Sequence, residues 1–341
     1  MSKTILMLVC AAALLSAAGS RAEQASHYRL THEVPLPGDE GWDYLTFDKV
    51  GGRVFVAHGT KVQVLDGRKL ILTGEIGDTP GVHGVALAQD LGRGYISAGR
   101  ANSVVVFDLK SLAVITRIAT GENPDAILYE PTTHRVFTFN GRSRNVSVID
   151  TAKNAVIGTI DVDAKPEFAA TDGAGHVYVN LEDKSSIAAI DPVKLTITAV
   201  WPLSGCEEPT GLAIDVAHRR LFSVCDKAMA VVDTGTGHVV ANLPIGSGID
   251  AAAFDPGKGL AFASGGDGTL TVVREITPDQ FTVVQTVKTQ TGARTMTLDD
   301  QTHRVFLVSA KFGPRPAPTA EQPHPRPSIV PRSFELLVVD P

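Results

Sequence analysis

The feature that most constrains this sequence is one phrase that occurs seven times along the chain, at a spacing of roughly 40 to 44 residues. Its clearest copy begins at Asp125 and reads DAILYEPTTHRVFTFNGRSRNVSVIDTAKNAVIGTIDV. The other copies begin at Asp43, His83, Glu167, Thr210, Asp250 and Arg294, and the last two are looser. A fixed period of this length indicates that each copy is one supersecondary unit in a repeat architecture.

Within each copy the residue pattern is that of short β-strands. Runs rich in Val, Ile, Phe and Thr are separated by clusters of Gly, Asn, Asp and Pro, and no apolar stripe has helical spacing. Four strands per unit at this period are typical of blades around a central axis. We therefore predict an all-β protein, a seven-bladed β-propeller.

The two ends of the repeat region predict how the ring closes. The seventh copy ends at ELLVVDP, one strand short of a blade, and the YRLTHEVPL stretch from Tyr28 matches the missing outermost strand. Pairing the two would remove two exposed sheet edges. We expect residues 23–341 to form a single domain, closed by the N-terminal strand in the last blade.

The first 22 residues have the pattern of a secretory signal peptide. Lys3 precedes an apolar run over residues 5–18, and Ser20-Arg21-Ala22 offers a small-x-small cleavage site. The run is too short to span a bilayer comfortably, and no later segment resembles a membrane helix. We expect a periplasmic or secreted protein, cleaved near Ala22 and without a membrane span.

Charge and cysteine usage follow from that expectation. Removal of residues 1–22 leaves 29 basic and 37 acidic residues, a net charge of −8, which argues against binding to nucleic-acid phosphates. Cys206 and Cys225 remain, and in an oxidising compartment an even pair predicts a disulfide. A thiolate metal site is the alternative, although no close Cys/His spacing of the zinc kind accompanies them.

The repeat also separates residues that serve the fold from residues that are free to serve a site. Aspartate can bond turn N–H groups, so the aspartates that end the third strand of most copies are interpreted as structural: Asp66, Asp108, Asp150, Asp191, Asp233 and Asp340. The first position of the innermost strand varies instead, and in blade order it holds Asp43, His83, Asp125, Glu167, Thr210, Asp250 and Arg294.

Innermost strands of a propeller line its axis, so these varied side chains should converge at one channel mouth. Such charges are costly to gather unless they are paired, solvated or bound to a cation, and a hydrated polar lining is the alternative. We predict a candidate divalent metal site at Asp43, Asp125, Glu167 and Asp250. The predicted ligand site comprises Trp42, Asp43, Tyr44, His83, Asp125, Glu167, Glu208, Asp250 and Arg294.

The loops between the second and third strands should lie at the same face as this ring. Arg100, Arg142 and Lys311 are predicted to form a basic rim that would hold an anion, and solvated loop charges are the alternative. In the seventh copy this loop is a proline-rich insertion, near residues 313–332, which cannot be sheet. Its position predicts a lid over the mouth, or an irregular surface segment with no such role.

The phrase RVFTFNGRSRNVSVIDTAKNAVIGTIDV, from Arg135, resembles the YVTN-type repeat of the YncE-like propellers, which are exported bacterial proteins of seven blades. The resemblance extends over almost all of the chain after residue 22, and it implies the seven-bladed architecture and export. It implies no catalytic residue, because propellers host many unrelated functions.

Two functions from different classes are consistent with the predicted ring. The first is a binding or scaffold propeller that recognises a small molecule or a periplasmic protein at the channel mouth. The second is a metal-dependent lactonase or lyase, in which the ring acids hold a divalent ion and His83 moves a proton. A nucleic-acid partner ranks last, because the predicted channel is acidic and aromatic residues make up 6% of the chain.

Overall fold

The computed structural model describes residues 27–319, 325 and 327–341, so the predicted signal peptide lies outside the described residues. The described chain contains seven four-stranded antiparallel sheets, and the first strands of neighbouring sheets contact each other in a closed ring. This arrangement confirms the seven-bladed β-propeller. Within the same ranges, helical structure is limited to single 3-10 turns at Gln89–Leu91, Gly99–Ala101 and Glu182–Lys184.

The N-terminal strand and the first three blades occupy the first half of the chain. In each blade the first strand lies nearest the axis and the fourth lies outermost. The strands are β1 (Arg29–Pro35); in blade one β2 (Trp42–Asp48), β3 (Arg53–His58), β4 (Lys61–Asp66) and β5 (Ile71–Ile76); in blade two β6 (Val82–Ala88), β7 (Arg93–Ala98), β8 (Ser103–Asp108) and β9 (Val114–Ala119); in blade three β10 (Pro124–Glu130), β11 (Arg135–Asn140), β12 (Asn145–Asp150) and β13 (Ala155–Asp161).

Blades four to seven follow with the same strand order. Blade six departs from the pattern, because its third and fourth strands are longer than those of the other blades. The strands are, in blade four, β14 (Pro166–Thr171), β15 (Val177–Leu181), β16 (Ser186–Asp191) and β17 (Thr196–Pro202); in blade five β18 (Leu212–Asp215), β19 (Arg220–Cys225), β20 (Ala228–Asp233) and β21 (Val239–Pro244); in blade six β22 (Ile249–Asp255), β23 (Leu260–Gly265), β24 (Thr269–Thr277) and β25 (Gln280–Lys288); in blade seven β26 (Met296–Asp299), β27 (Arg304–Ser309) and β28 (Glu335–Asp340).

The hydrophobic patterns of the strands follow from their place in a blade. Middle strands such as β3 and β11 are buried at nearly every position, because both of their faces pack against neighbouring blades. Outermost strands such as β17 alternate between exposed and partly buried residues, as expected of a sheet edge with one face towards solvent. The core is therefore divided into apolar layers between successive blades.

The predicted closure is confirmed. Strand β1 pairs antiparallel with β28, so the N-terminal strand is the outermost strand of blade seven. Leu30 lies opposite Val339 and Val34 opposite Leu336. The ring is thus closed by hydrogen bonds between the two ends of the described chain, which leaves no unpaired edge inside that blade.

Turns on one face of the propeller are fixed by the repeated aspartates. The side chain of Asp66 accepts hydrogen bonds from the backbone N–H groups of Arg68 and Lys69, at 2.9 and 2.7 Å, and Asp150 bonds the turn after β12 in the same way. Burial of apolar strands and local turn bonds together account for the similarity of the blades.

The predicted disulfide between Cys206 and Cys225 is present, with the two Cα atoms 5.6 Å apart. It joins the loop before β18 to the end of β19, and both residues are buried. The bond fixes the loop that carries Glu207 and Glu208. No helix in the described part of the chain is long and apolar enough to cross a membrane.

Candidate functional site

In five blades a β-bulge near the start of the innermost strand places one side chain at the axis. The register between the first and second strands shifts at the ring position in five blades, so the ring residue of each lies in a β-bulge. A bulge re-aims a side chain and is common next to functional sites. The residues placed in this way are Asp43, His83, Asp125, Glu167 and Asp250.

Hydrogen bonds between blades hold the ring at one level. The Ser97 hydroxyl donates to the backbone carbonyl of Asp125 at 2.5 Å, and the Thr295 hydroxyl donates to that of Asp43 at 2.8 Å. The Ser264 hydroxyl donates to the carbonyl of Arg294. Because each bond crosses from one blade to the next, the ring side chains are fixed relative to one another.

His83 lies between two carboxylates from the neighbouring blades. Its Nδ1 atom is 2.5 Å from Oδ2 of Asp43 and 3.4 Å from Oδ1 of Asp125. Burial alone would lower the pKa of His83, but the hydrogen bond to Asp43 and the charges of Asp125 and Asp43 outweigh it and raise that pKa to about 9. The imidazolium therefore balances part of the acidic charge at neutral pH.

Two further acids of the ring pair with basic side chains. Nε of Arg294 lies 2.8 Å from Oδ2 of Asp250, and Nζ of Lys165 lies 2.6 Å from Oε1 of Glu167. Lys165 also contacts Glu182 of blade four. Arg294 keeps 37% of its side chain exposed, so part of its guanidinium faces the open mouth.

These pairs leave the ring with more acidic than basic character. Burial raises the pKa of Glu167 to about 8, and the nearby charge of Asp125 adds to the rise. Burial likewise raises the pKa of Asp250 to about 7 and that of Asp125 to about 6, against the opposing charges of Arg294 and His83 respectively. A cation or hydrogen-bond donor entering the mouth would therefore be stabilised there.

Tyr44 forms the floor beneath the ring. Its side chain is 5% exposed, and its ring packs edge-to-face on Phe168 with centroids 4.9 Å apart. Burial, followed by the charges of Asp250, Glu167, Asp125 and Asp43, raises the pKa of Tyr44 well above its ordinary value. Below this floor the channel is largely apolar and encloses about 610 Å³.

A second cavity of about 380 Å³ adjoins the ring on the side of blade seven. Its apolar wall includes Trp42 and Phe312, whose ring centroids lie 5.9 Å apart, and Ile329. Arg294 and Arg315 supply its positive charge. The described residues of the proline-rich insertion therefore lie beside the mouth and form part of this cavity.

Four residues of the sequence-predicted set lie apart from the ring. Glu208 is on the exposed loop held by the disulfide, where its N–H donates to the Ser185 hydroxyl of blade four. Arg100, Arg142 and Lys311 are exposed at the face of the mouth, and none of the three forms an ion pair with another described residue.

Three residues of the site were not predicted from the sequence. Lys165 precedes its ring position by two residues, and Phe312 and Arg315 lie at the start of the insertion. Lys165 could have been found from its place in the sequence, because it directly precedes Pro166 and the ring residue Glu167. For Phe312 no repeat position applies, because the insertion interrupts the pattern.

The ring also contains a set of metal-ligand atoms. Nitrogen or oxygen atoms of Asp43, His83 and Asp125 all lie within 4.8 Å of one another. Among the described residues Glu167 and Asp250 do not join that set, because Lys165 and Arg294 engage them. The geometry thus groups the candidate ligands around His83, which differs from the four acids selected from sequence.

Comparison with known proteins extends the resemblance. A stretch of 95 residues is 30% identical to the uncharacterized protein YncE of Salmonella typhi, and it covers 28% of this chain and 27% of that protein. This local similarity agrees with the resemblance of the repeat to YncE-like propellers, and it is confined to about a quarter of each protein. No family model matches the sequence.

Solved structures similar to this propeller show the fold alone, because their sequence identities are low. Hydrazine synthase of Kuenenia stuttgartiensis has a TM-score of 0.68 at 17% identity, covering 83% of this chain and 95% of that chain. U3-55K has a TM-score of 0.75 at 10% identity, covering 93% and 99%. The WD40 repeats of RRP9 have a TM-score of 0.75 at 10% identity, covering 92% and 98%.

Proposed function

We propose that this chain is an exported, single-domain propeller that binds a small ligand at the channel mouth. The ligand places an anionic group at Arg294 and Arg315 and an apolar part between Trp42 and Phe312. The observation that carries the proposal is the 380 Å³ cavity, which joins an aromatic wall to two guanidinium groups at the edge of the ring. Binding sites commonly combine an apolar lining with a few convergent polar groups.

Two features of the cavity support binding rather than simple packing. Arg294 pairs with Asp250 through Nε at 2.8 Å and with Asp43 through Nη2 at 3.8 Å, yet 37% of its side chain remains exposed. Gly292 has a φ of 92°, and a Cβ atom there would lie 2.5 Å from the Phe312 ring. Glycine at this position therefore keeps the aromatic wall in place.

Export of the chain is part of the proposal. The Cys206–Cys225 disulfide supports it, because such bonds persist in oxidising compartments. The signal-like pattern of residues 1–22 points to the same compartment. A periplasmic protein could use the same face, with the basic rim of Arg100, Arg142 and Lys311 around the ligand.

The insertion acts in this proposal as one wall of the ligand site. Phe312 forms an isolated bridge with Ile329, and the Gly313 N–H donates to the carbonyl of Ser328 at 2.8 Å. These contacts pin the base of the insertion beside Trp42. A ligand in the cavity would contact this base directly.

The test uses anilinonaphthalene sulfonate, a fluorescent probe that is both anionic and aromatic. We expect saturable binding by the full chain, and we expect Arg315→Gln and Phe312→Ala each to weaken it at least about tenfold. Arg68→Gln, an exposed arginine on the opposite face, is the matched control and should bind normally. Equal affinities in all four proteins would overturn the proposal.

The Asp43, His83 and Asp125 set favours one second candidate, a metal-dependent lactonase or lyase. A divalent ion held there would polarise a carbonyl oxygen of the substrate, with His83 as its nitrogen ligand. Mn²⁺ binding followed by paramagnetic resonance tests this candidate. Binding that is lost in Asp125→Asn supports it, whereas a wild-type protein that binds no Mn²⁺ removes it.

A further inference from the structure

A second group of possible ligand atoms lies on the opposite face, between blades five and six. Asp215 ends β18, His218 lies in the turn that follows, and Glu275 lies near the end of β24. Nδ1 of His218 is 2.7 Å from Oδ2 of Asp215 and 3.0 Å from Oε1 of Glu275. Together the three offer one nitrogen and two oxygens within 4.8 Å of one another.

Glu275 is buried in this group and forms an ion pair only with His218 among the described residues. Its side chain is 4% exposed, and apart from that contact neither carboxylate oxygen has a hydrogen-bond donor in the described part of the chain. A buried carboxylate with so few donors is costly unless a cation compensates it. Arg220 of blade five directs its own N–H groups at Asp233, Asp279 and the carbonyl of Pro278 instead.

The other two members of the group differ in their exposure. Asp215 is itself 3% exposed and also accepts a hydrogen bond from the Ala217 N–H. His218 is 51% exposed, so the group opens to solvent on the side of the imidazole.

The repeat shows that Glu275 is not required by the fold. Its N–H donates to the carbonyl of Gly259, as the N–H of Thr234 donates to Arg219 and that of Gly67 donates to Gly52 in other blades. The equivalent residues in blades one and five are thus glycine and threonine. In blade six, where β24 and β25 run on for nine residues each, the residue at this position is a glutamate whose carboxylate reaches the turn of blade five.

We propose that Asp215, His218 and Glu275 bind a divalent first-row metal ion, with Zn²⁺ held more tightly than Mn²⁺. One imidazole and two carboxylates suit such an ion, and the exposed side of His218 leaves positions for water. The ion displaces the proton that His218 Nδ1 shares with the carboxylates, and this proton leaves to solvent. The bound ion would clip the turn of blade five to the hairpin of blade six.

Zn²⁺ titration of the chelator-treated full chain, followed calorimetrically at neutral pH, tests the site. We expect one Zn²⁺ per chain, and a loss of affinity of at least about tenfold in His218→Ala and in Glu275→Gln. His176→Ala is the matched control, because His176 Nδ1 also lies 2.7 Å from one carboxylate, that of Asp172, but is not in a set of three. It should bind Zn²⁺ as the wild type does.

A second comparison separates this site from the channel mouth. Asp43→Asn should leave Zn²⁺ binding unchanged, and metal-free Glu275→Gln should melt no lower than metal-free wild type because it removes a buried charge. Wild-type affinity in both His218→Ala and Glu275→Gln would overturn the proposal. So would the absence of Zn²⁺ binding, or its loss in Asp43→Asn alone, which would place the ion at the channel mouth.

Discussion

Two aspartates at opposite ends of the same inner strand, Asp48 and Asp43, have different kinds of partner. At the end away from the mouth, Asp48 is buried and accepts hydrogen bonds from the N–H groups of Val50 and Gly51 in its own turn, with Gln89 of blade two as a further donor. At the mouth, Asp43 faces a histidine from blade two. Asp48 therefore serves the fold mainly through its own turn, whereas Asp43 is available to a ligand.

The largest effect on the free energy of unfolding should come from replacing Asp48, which bonds its own turn. Asp48→Ala leaves Arg53 without the carboxylate that its Nε and Nη2 atoms contact at 2.9 and 2.6 Å, and also frees two turn N–H groups. We expect a loss of about 3–5 kcal/mol in the free energy of unfolding, measured in urea. A loss below about 1 kcal/mol would remove the distinction between the two ends.

The disulfide should have the next largest effect, because the long loop before β18 lacks a turn aspartate of this kind. Replacing Cys206 and Cys225 together by serine should cost about 2–4 kcal/mol in urea unfolding. The native protein should release no thiol from either residue before denaturation. Two reactive thiols in the folded protein would contradict the bond.

A smaller effect, and a gain in stability instead of a loss, is expected from replacing the ring acid Glu167. The pKa of Glu167 is raised in the folded protein, so wild-type stability falls as the pH rises from the unfolded value to about 8. Glu167→Gln removes that loss, and Lys165 keeps Glu182 as a partner. We expect the variant to be more stable than wild type by about 1 kcal/mol at alkaline pH, with no gain in acid.

The pH dependence separates this effect from a general change in packing. Urea unfolding of both proteins across the pH range should show two curves that diverge as the pH rises. A constant difference between them, or a variant that is less stable at alkaline pH, would mean that Glu167 is stabilised by its neighbours as a charged group.

The smallest effect should come from the basic rim. Arg142 is exposed and forms no ion pair with a described residue, so Arg142→Gln should change the free energy of unfolding by less than about 0.5 kcal/mol. Thermal melting of the two proteins at low salt checks this expectation. A larger loss would show that the rim is tied into the fold.

Much of this arrangement could be predicted from the sequence, because equivalent residues of a repeat occupy equivalent places in the fold. The alignment of the copies predicted which residues lie near the start of the inner strands, and the structure brings His83 and Asp43 together although they are 40 residues apart. The alignment does not predict how far a long side chain extends. Lys165 was therefore missed, although its ammonium contacts the ring acid Glu167.

The remaining differences arise where the repeat is broken. Glu208 lies on a loop whose path is set by the disulfide, so its side chain is exposed and apart from the ring. Glu275 lies on the lengthened hairpin of blade six, at a position that holds glycine in blade one and threonine in blade five, so the repeat did not mark it as acidic. Tertiary contacts determine the conformation of irregular segments, and the strand pattern of the sequence does not predict those contacts.

The most direct test of the channel mouth is the titration of His83 by NMR of its imidazole in the chelator-treated protein. Its position between the carboxylates of Asp43 and Asp125 raises its pKa, so the midpoint should lie near pH 9 and fall in Asp43→Asn. A midpoint near pH 6.5 that is the same in both proteins would mean that these side chains do not meet.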